Sequence, residues 1–329
     1  MPYLPQAGIY RELEELMALT HEFAWSASRA SNFKECRRQH YFQYYGGWKG
    51  WERNAPQERQ QIYQLGKLTR MPMVAGDSVH QNLAYYFRVK HVQESTLEEI
   101  LQRSLDMLRA KYMESQNEDW RRSASKFTHL AEHYYKESVV QDRDAVARYG
   151  KEYVERITEA VHGFFSLADL AWVINAPTED YVFVEDDQTS YDAFEFEGTK
   201  IYGSPDFALR DNKGHVHLYD WKTGRPSKND SFQIHVYALY ARIKWGVPLE
   251  DFSGYDVYLR EGHVTPCLIT PESMAEAEDE IRSSIAAMRE LHFNADFGMG
   301  DREPFPQIPA DSPESRVCGR CRFRELCDR

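Results

Sequence analysis

Residues 203–222, which read GSPDFALRDNKGHVHLYDWK, contain two short runs rich in strand-forming residues. Side chains alternate between the two faces of a strand, so every second residue of the later run shares one face. That face carries Val216, Leu218, Asp220 and Lys222. An apolar face therefore ends in a carboxylate and an ammonium group. Hairpin-like pairing with the earlier run would bring Asp206 to the same strand edge as Asp220.

Similar short β-rich runs lie on either side of this stretch. The predicted strands are 181–185, 199–209, 214–222, 255–260 and 263–269. A helix is predicted between the third and fourth, because apolar residues recur at helical spacing after Asp230 or Ser231, either of which suits its N-terminus. A second helix, at about 271–293, completes a β-β-β-α-β-β-α order. This order predicts an α/β fold with a mixed sheet flanked by helices.

The first half of the chain has helical periodicity. Leu97, Ile100, Leu101, Leu105 and Leu108 recur at three- and four-residue steps after Ser95 and Thr96, which suit a helix start. Further helices are predicted near 28–45, 125–140 and 154–168. We expect three sections within one compact unit. They are an N-terminal helical segment at 1–80, a helical section at 81–175 and an α/β core at 176–329.

Composition narrows the class of protein. The 329 residues are 42% hydrophobic and 28% charged, with a formal net charge of -12, which argues against coating nucleic acid by bulk positive charge. A mean hydropathy of -0.67 and the lack of a long apolar run predict no membrane-spanning helix. The N-terminal residues lack the layout of a signal peptide. We therefore expect a cytosolic protein with no membrane partner.

Several oxygen-bearing side chains fall at the ends of the predicted strands. Glu185 ends the first strand, and Asp206 and Asp220 lie in the next two. Carboxylate oxygens are the ligands that Mg²⁺ and Mn²⁺ prefer, so these three predict a divalent metal site. Gln233 and Tyr237 follow at i and i+4 on one helix face, within reach of substrate or of groups around the metal. A D-x-K tripeptide alone is more often a surface ion pair, and the ordered set carries the prediction.

The order of these motifs resembles the PD-(D/E)XK nuclease superfamily, and most closely its RecB-like branch. The matching motifs are P-D at 205–206, D-x-K at 220–222, Q-x-x-x-Y at 233–237 and an upstream G-x-x-x-H-like GDSVH that ends at His80. In this sequence an aspartate, Asp220, stands where many members have glutamate, and the superfamily admits either.

The resemblance implies a metal-dependent nuclease that uses one or two Mg²⁺ or Mn²⁺ ions. His80, Asp206, Asp220 and the Trp221 carbonyl would be the metal ligands, with Glu185 as a further one. Lys222 would orient the attacking water, and Gln233 and Tyr237 would position the substrate.

The cysteines form a second pattern. Cys318, Cys321 and Cys327 give C-x2-C-x5-C, and Cys36 is the natural fourth ligand because Cys267 falls within a predicted strand. Both zinc and a 4Fe-4S cluster accept four cysteines, and free thiols are the remaining alternative. The spacing resembles the iron-sulfur staple of AddB-type nucleases and of CRISPR-associated RecB-like exonucleases, as does the segment Ser26–Cys36. Arg37 departs from that pattern, in which proline often follows the first cysteine.

Positive charge is concentrated in two segments. Residues 25–70 hold nine Lys and Arg against three Glu, and residues 316–329 hold five Arg against two acids. Eight aromatic residues are interleaved with the first segment, a mixture suited to phosphate contact and base stacking. They are Trp25, Phe33, Tyr41, Phe42, Tyr44, Tyr45, Trp48 and Trp51. Any single one is more often a core residue.

We therefore expect a deoxyribonuclease, an exonuclease on single strands or ends, with a structural 4Fe-4S cluster. The alternative is a DNA-end-binding subunit of a helicase-nuclease or CRISPR adaptation complex that cleaves little by itself.

Overall fold

A five-stranded mixed sheet lies at the centre of the fold. The computed structural model describes residues 21–185, 192–227, 229–291 and 300–329. Their strands are β1 (Ala24–Trp25), β2 (Leu68–Thr69), β3 (His129–Leu130), β4 (Tyr181–Val184), β5 (Ala193–Phe196), β6 (Thr199–Tyr202), β7 (Phe207–Arg210), β8 (Val216–Lys222), β9 (Phe252–Tyr258) and β10 (His263–Cys267).

Along the chain, the α-helices lie before, between and after the strands of the central sheet. They are α1 (Ala27–Glu35), α2 (Arg37–Tyr41), α3 (Gln57–Gly66), α4 (Met71–Val89), α5 (Leu97–Gln116), α6 (Ala131–Tyr134), α7 (Arg143–Ser166), α8 (Ala171–Asn175), α9 (Asp230–Tyr240) and α10 (Pro271–Arg289). Short 3₁₀ turns at Pro313–Arg320 and Arg324–Cys327 end the chain.

The central sheet has the order β10-β9-β8-β7-β4. Strands β8 and β9 are parallel, and α9 lies in the connection between them, as a parallel pair requires. The other neighbouring pairs of this sheet are antiparallel. The mixed α/β fold predicted from the sequence is confirmed.

Both faces of β8 are buried, each in a different core. Val216 and Leu218 pack in a core with apolar residues of α1, α9 and α10. Tyr219 and Trp221 pack in a second core with α4, α5 and α7. The sheet therefore lies between two helical layers, and the end of β8 that carries Asp220 is held from both sides.

The predicted strand at 199–209 is wrong, because this segment forms two strands in different sheets. β6 pairs with β1 and β5, whereas β7 pairs with β4 and β8. The break falls at 203–205, where glycine weakens a strand and Pro205 has no N–H to donate. Strand β5 was not predicted from the sequence, and it forms a hairpin with β6 through Glu197 and Gly198, both at positive φ.

The helices differ from the predictions at several ends. The predicted helix at 28–45 is divided at Cys36. This residue has an extended backbone and is both the C-cap of α1 and the N-cap of α2. The predicted helix at 125–140 is reduced to α6 and a 3₁₀ turn. Asn229 precedes α9, so neither Asp230 nor Ser231 is its N-cap. Residues 292–293 of the predicted closing helix lie outside the described residues.

Within the described residues, no single helix is long and apolar enough to cross a membrane. Helices Arg143–Ser166 and Ala168–Asn175 reach the required length and composition as a bent pair. Several apolar residues of this pair, including Val161, Phe164 and Val173, are buried in the second core.

Candidate functional site

His80 and Asp206 meet at the edge of the central sheet where β7 begins and β8 ends. His80 lies on α4, and its Nδ1 is 3.2 Å from Oδ1 of Asp206, which directly precedes β7. The other oxygen of Asp206 accepts a 2.6 Å hydrogen bond from the N–H of Trp221. The N–H and C=O of one strand residue point to the same neighbouring strand, so the Trp221 carbonyl also faces this edge. Asp206 is thereby anchored between a helix and β8.

Glu185 completes a group of three candidate ligands. Ligand atoms of His80, Glu185 and Asp206 all lie within 4.8 Å of one another. The N–H of Glu185 donates a 3.0 Å hydrogen bond to the Asp206 carbonyl, which extends the pairing of β4 with β7. Two carboxylates and an imidazole at this spacing are a donor set that suits Mn²⁺ or Mg²⁺.

The carboxyl groups at this edge destabilise one another's charged forms. Burial raises the pKa of Asp220 to about 7, and the Asp206 carboxylate adds to the rise. Burial and the same carboxylate raise the pKa of Glu185 to about 7. Burial lowers the pKa of His80, but Asp206 outweighs this effect and raises it to about 9. A divalent cation would relieve this repulsion, so the residues fit a metal site.

Lys222 lies beside Asp220 at the end of β8. Its ammonium group forms an ion pair with the Asp220 carboxylate and donates a 2.9 Å hydrogen bond to Oε1 of Gln233. The Gln233 amide nitrogen in turn donates a 2.6 Å hydrogen bond to the hydroxyl oxygen of Tyr237. The predicted Q-x-x-x-Y pair therefore contacts the lysine of D-x-K through the amide, and α9 restrains the lysine.

Asp256, which was not predicted from the sequence, also contacts this lysine. It is the Cα partner of Asp220 on the parallel strand β9, is 4% exposed, and has Oδ1 3.5 Å from Lys222 Nζ. Burial raises its pKa. Asp230 Oδ1 lies 3.9 Å from the same ammonium group. The available signal was a carboxylate within the otherwise strand-like run YDVYLR.

The four cysteines predicted from the sequence to bind a metal or cluster line one cavity. Cys36 is the N-cap of α2, and Cys318, Cys321 and Cys327 come from the C-terminal turns. Burial raises the pKa of Cys321 to about 11, and the other three cysteines add to the rise. A metal or cluster would favour the thiolate forms that burial disfavours, so this set fits one. Cys267 lies apart on β10, where its sulfur is 3.8 Å from Nδ1 of His235.

The C-terminal segment docks on the helical part of the chain. Phe323 is buried in a third core with Phe42, Ile62 and Leu65. Tyr135 donates a 2.8 Å hydrogen bond to the Arg322 carbonyl. The cysteine cavity thus brings residues from both ends of the described chain together.

The eight interleaved aromatic residues divide into core and surface. Trp25, Phe33, Phe42 and Tyr45 are buried. Trp51 is 43% exposed and packs edge-on against Trp48 and Tyr63. Tyr44 lines a groove of about 1010 Å³ that also contains Glu185, Gln233 and Tyr237. This groove leads from the acidic edge along α1.

Comparison with known proteins agrees with this geometry. The family model of the PD-(D/E)XK nuclease superfamily matches residues 24–328. A comparison with curated proteins gave no match.

Proposed function

Because the chain belongs to the PD-(D/E)XK nuclease superfamily, we propose that it is a metal-dependent deoxyribonuclease of the RecB-like type. It acts as an exonuclease on single strands or DNA ends and holds a structural 4Fe-4S cluster. The observation that carries the proposal is the meeting of His80, Glu185 and Asp206 next to the Asp220–Lys222 pair.

The metal site comprises His80, Glu185, Asp206, Asp220 and the Trp221 carbonyl. One or two Mg²⁺ or Mn²⁺ ions bound there would lower the pKa of a water and neutralise charge on the scissile phosphate. The raised pKa values of Glu185 and Asp220 support this assignment, because they indicate negative charge that lacks a sufficient counter-charge.

The remaining residues act on substrate and water. Lys222 places its ammonium group beside the Asp220 carboxylate, where it orients the attacking water and stabilises charge that develops on the phosphate oxygens. Gln233 and Tyr237 line the groove next to Glu185, so they position the substrate backbone and also restrain Lys222. Asp256 and Asp230 keep the lysine protonated and in place: burial opposes its charge, but Asp220, Asp256 and Asp230 raise its pKa.

The cluster proposal rests on the shared cavity of Cys36, Cys318, Cys321 and Cys327. A bound group there would tie residues 282 positions apart, between Cys36 and Cys318. Metal analysis decides between the two candidates: iron and sulfide with a brown colour indicate a cluster, and a colourless preparation with zinc indicates a zinc site.

A nuclease assay tests the main proposal. End-labelled single- and double-stranded DNA are incubated with Mg²⁺ or Mn²⁺ and with the wild type, Asp220→Asn or Lys222→Gln. We expect wild-type cleavage that each substitution lowers at least 100-fold, since both remove charge at the reacting centre. Asp251→Asn, at an exposed position of the same α/β core, is the matched control. Normal cleavage by either site variant would overturn the assignment.

The same assay also tests the alternative that the protein is a subunit of a larger complex. DNA binding without cleavage by the wild type in either metal would favour the end-binding subunit of a helicase-nuclease or CRISPR adaptation complex.

A further inference from the structure

An arginine-lined cleft lies beside the cysteines and outside the acidic centre. Its volume is about 440 Å³. The lining residues are Glu35, Gln39, Arg316, Val317, Arg320, Cys321 and Arg322. Three guanidinium groups and one carboxylate give this arginine cleft a formal charge of +2. In a chain with 52 acidic and 40 basic residues, such a surplus is a local exception.

Two of the three guanidinium groups are available to a ligand. Arg316 and Arg320 are exposed, and neither side chain forms a hydrogen bond or an ion pair within the described part of the chain. Arg322 is partly buried and donates a 3.0 Å hydrogen bond to the Gly66 carbonyl. Arginine binds phosphate through its planar fork of N–H donors, so the cleft is suited to phosphate groups.

The arginine cleft borders the groove that reaches Glu185 of the proposed nuclease centre. Glu35, the last residue of α1, lines both. The groove continues along α1 to Glu185, Gln233 and Tyr237. The nine residues of α1 span about 13 Å.

The groove between these two ends suits an unpaired strand. Ser28 and Ser31 supply polar groups along α1, where the Lys34 ammonium group forms an ion pair with Glu280. The Arg29 guanidinium lies 4.7 Å from the ring centroid of Tyr44 and 5.2 Å from that of Tyr202. Aromatic faces combined with arginine are typical of surfaces that bind single-stranded nucleic acid.

We propose that the arginine cleft binds phosphate groups of the substrate strand at the opposite end of α1 from the bond cleaved at the acidic centre. The inference rests on the proposed function, because the strand would follow the groove to Glu185 of the nuclease centre. The phosphates belong either to the interior of the strand or to its terminus. In both cases Arg316 and Arg320 supply the contacts.

Binding of short single-stranded DNA to the full-length chain tests the inference. Affinity is measured by fluorescence anisotropy in Ca²⁺, from roughly 50 to 200 mM salt. The cleft variant is the double variant that carries both Arg316→Gln and Arg320→Gln. Three probes of one sequence are used, with hydroxyl groups at both ends, a 5′-phosphate or a 3′-phosphate. The matched control is Arg143→Gln with Arg148→Gln, two exposed arginines of α7 with the same charge change. Thermal midpoints verify folding.

We expect the cleft variant to bind roughly tenfold more weakly at low salt, with a plot of log affinity against log salt that is less steep by about 1.4. A loss with all three probes assigns internal phosphates, and a loss confined to a phosphorylated probe assigns a terminal phosphate. Affinity and salt dependence equal to those of the control would overturn the inference. Because no turnover is needed, this outcome is independent of the Asp220→Asn cleavage assay.

Discussion

Asp220 and Asp256 are Cα partners on the parallel strands β8 and β9, and the ammonium group of Lys222 contacts both carboxylates. Partners in a parallel pair present their side chains on the same face of the sheet. Lys222 is thus held between two strands as well as by Gln233 of α9. The position of the lysine depends on the register of β9, a strand that starts 30 residues after Lys222.

Asp256→Asn should lower the turnover number for single-stranded DNA by roughly tenfold, with a smaller change in KM. The substitution removes one charge that positions Lys222, and tenfold corresponds to about 1.4 kcal/mol of transition-state stabilisation. Steady-state kinetics in Mn²⁺ provide the measurement. Asp256→Glu should recover part of the loss, and Asp251→Asn is the matched control. A raised KM at unchanged turnover would contradict this role.

Cys321→Ser should remove the bound metal or cluster and lower the melting temperature. A cross-link between segments so far apart contributes up to about 5 kcal/mol on the chain-entropy description. Cys267→Ser is the matched control, because Cys267 lies on β10 away from the cysteine cavity. Thermal unfolding and analysis of iron, sulfide and zinc test both variants. Equal stability of Cys321→Ser and the wild type would argue against a structural staple.

Gly163→Ala and Gly150→Ala, both on α7, should have opposite effects on stability. A Cβ at position 163 would lie 1.8 Å from the Leu259 carbonyl oxygen, immediately after β9, so α7 must move off the sheet. Such overpacking costs about 1–3 kcal/mol or more. A Cβ at position 150 meets nothing within 4 Å, so the alanine should stabilise the helix by about 0.5–1 kcal/mol. Chemical denaturation measures both values, and a stable Gly163→Ala would refute this packing.

His129 should make a destabilising contribution on acidification, because it is buried in its neutral form. Burial lowers its pKa to about 4, and Trp120 stacks on its ring at 3.7 Å. Between its unfolded pKa of about 6.5 and about 4, the unfolded state binds the extra proton, so stability decreases as pH falls. This group alone accounts for about 2 kcal/mol by pH 5.

His129→Phe keeps an aromatic ring against Trp120 and removes the titration. Denaturant unfolding should therefore show that the free energy of unfolding of the wild type falls by about 2 kcal/mol relative to that of the variant between pH 7 and pH 5. Parallel changes in the two proteins would show that His129 does not contribute.

The strands and the acidic residues were largely predictable from local patterns. Alternation along residues 214–222 correctly placed Val216 and Leu218 on a buried face. The break between β6 and β7 was missed because both halves have strand composition, and the separation depends on which sheet each one joins.

The contacts of individual side chains were less predictable. Asp256 could not be assigned, since an acid within a strand is distinguished only by the residue beside it on the neighbouring strand. The aromatic residues of 25–51 likewise give no local signal that separates buried Trp25 from exposed Trp51.

The sequence by itself determined the family, the α/β class and a short set of candidate ligands, because periodicity and motif spacing are local properties of the chain. Only the tertiary structure decided which groups meet. It brought His80 from α4 to Asp206 across 126 positions and aligned Asp256 with Asp220. It also placed the arginine cleft beside the groove along α1. These contacts depend on sheet register and helix packing, which arise from interactions between residues far apart in the chain.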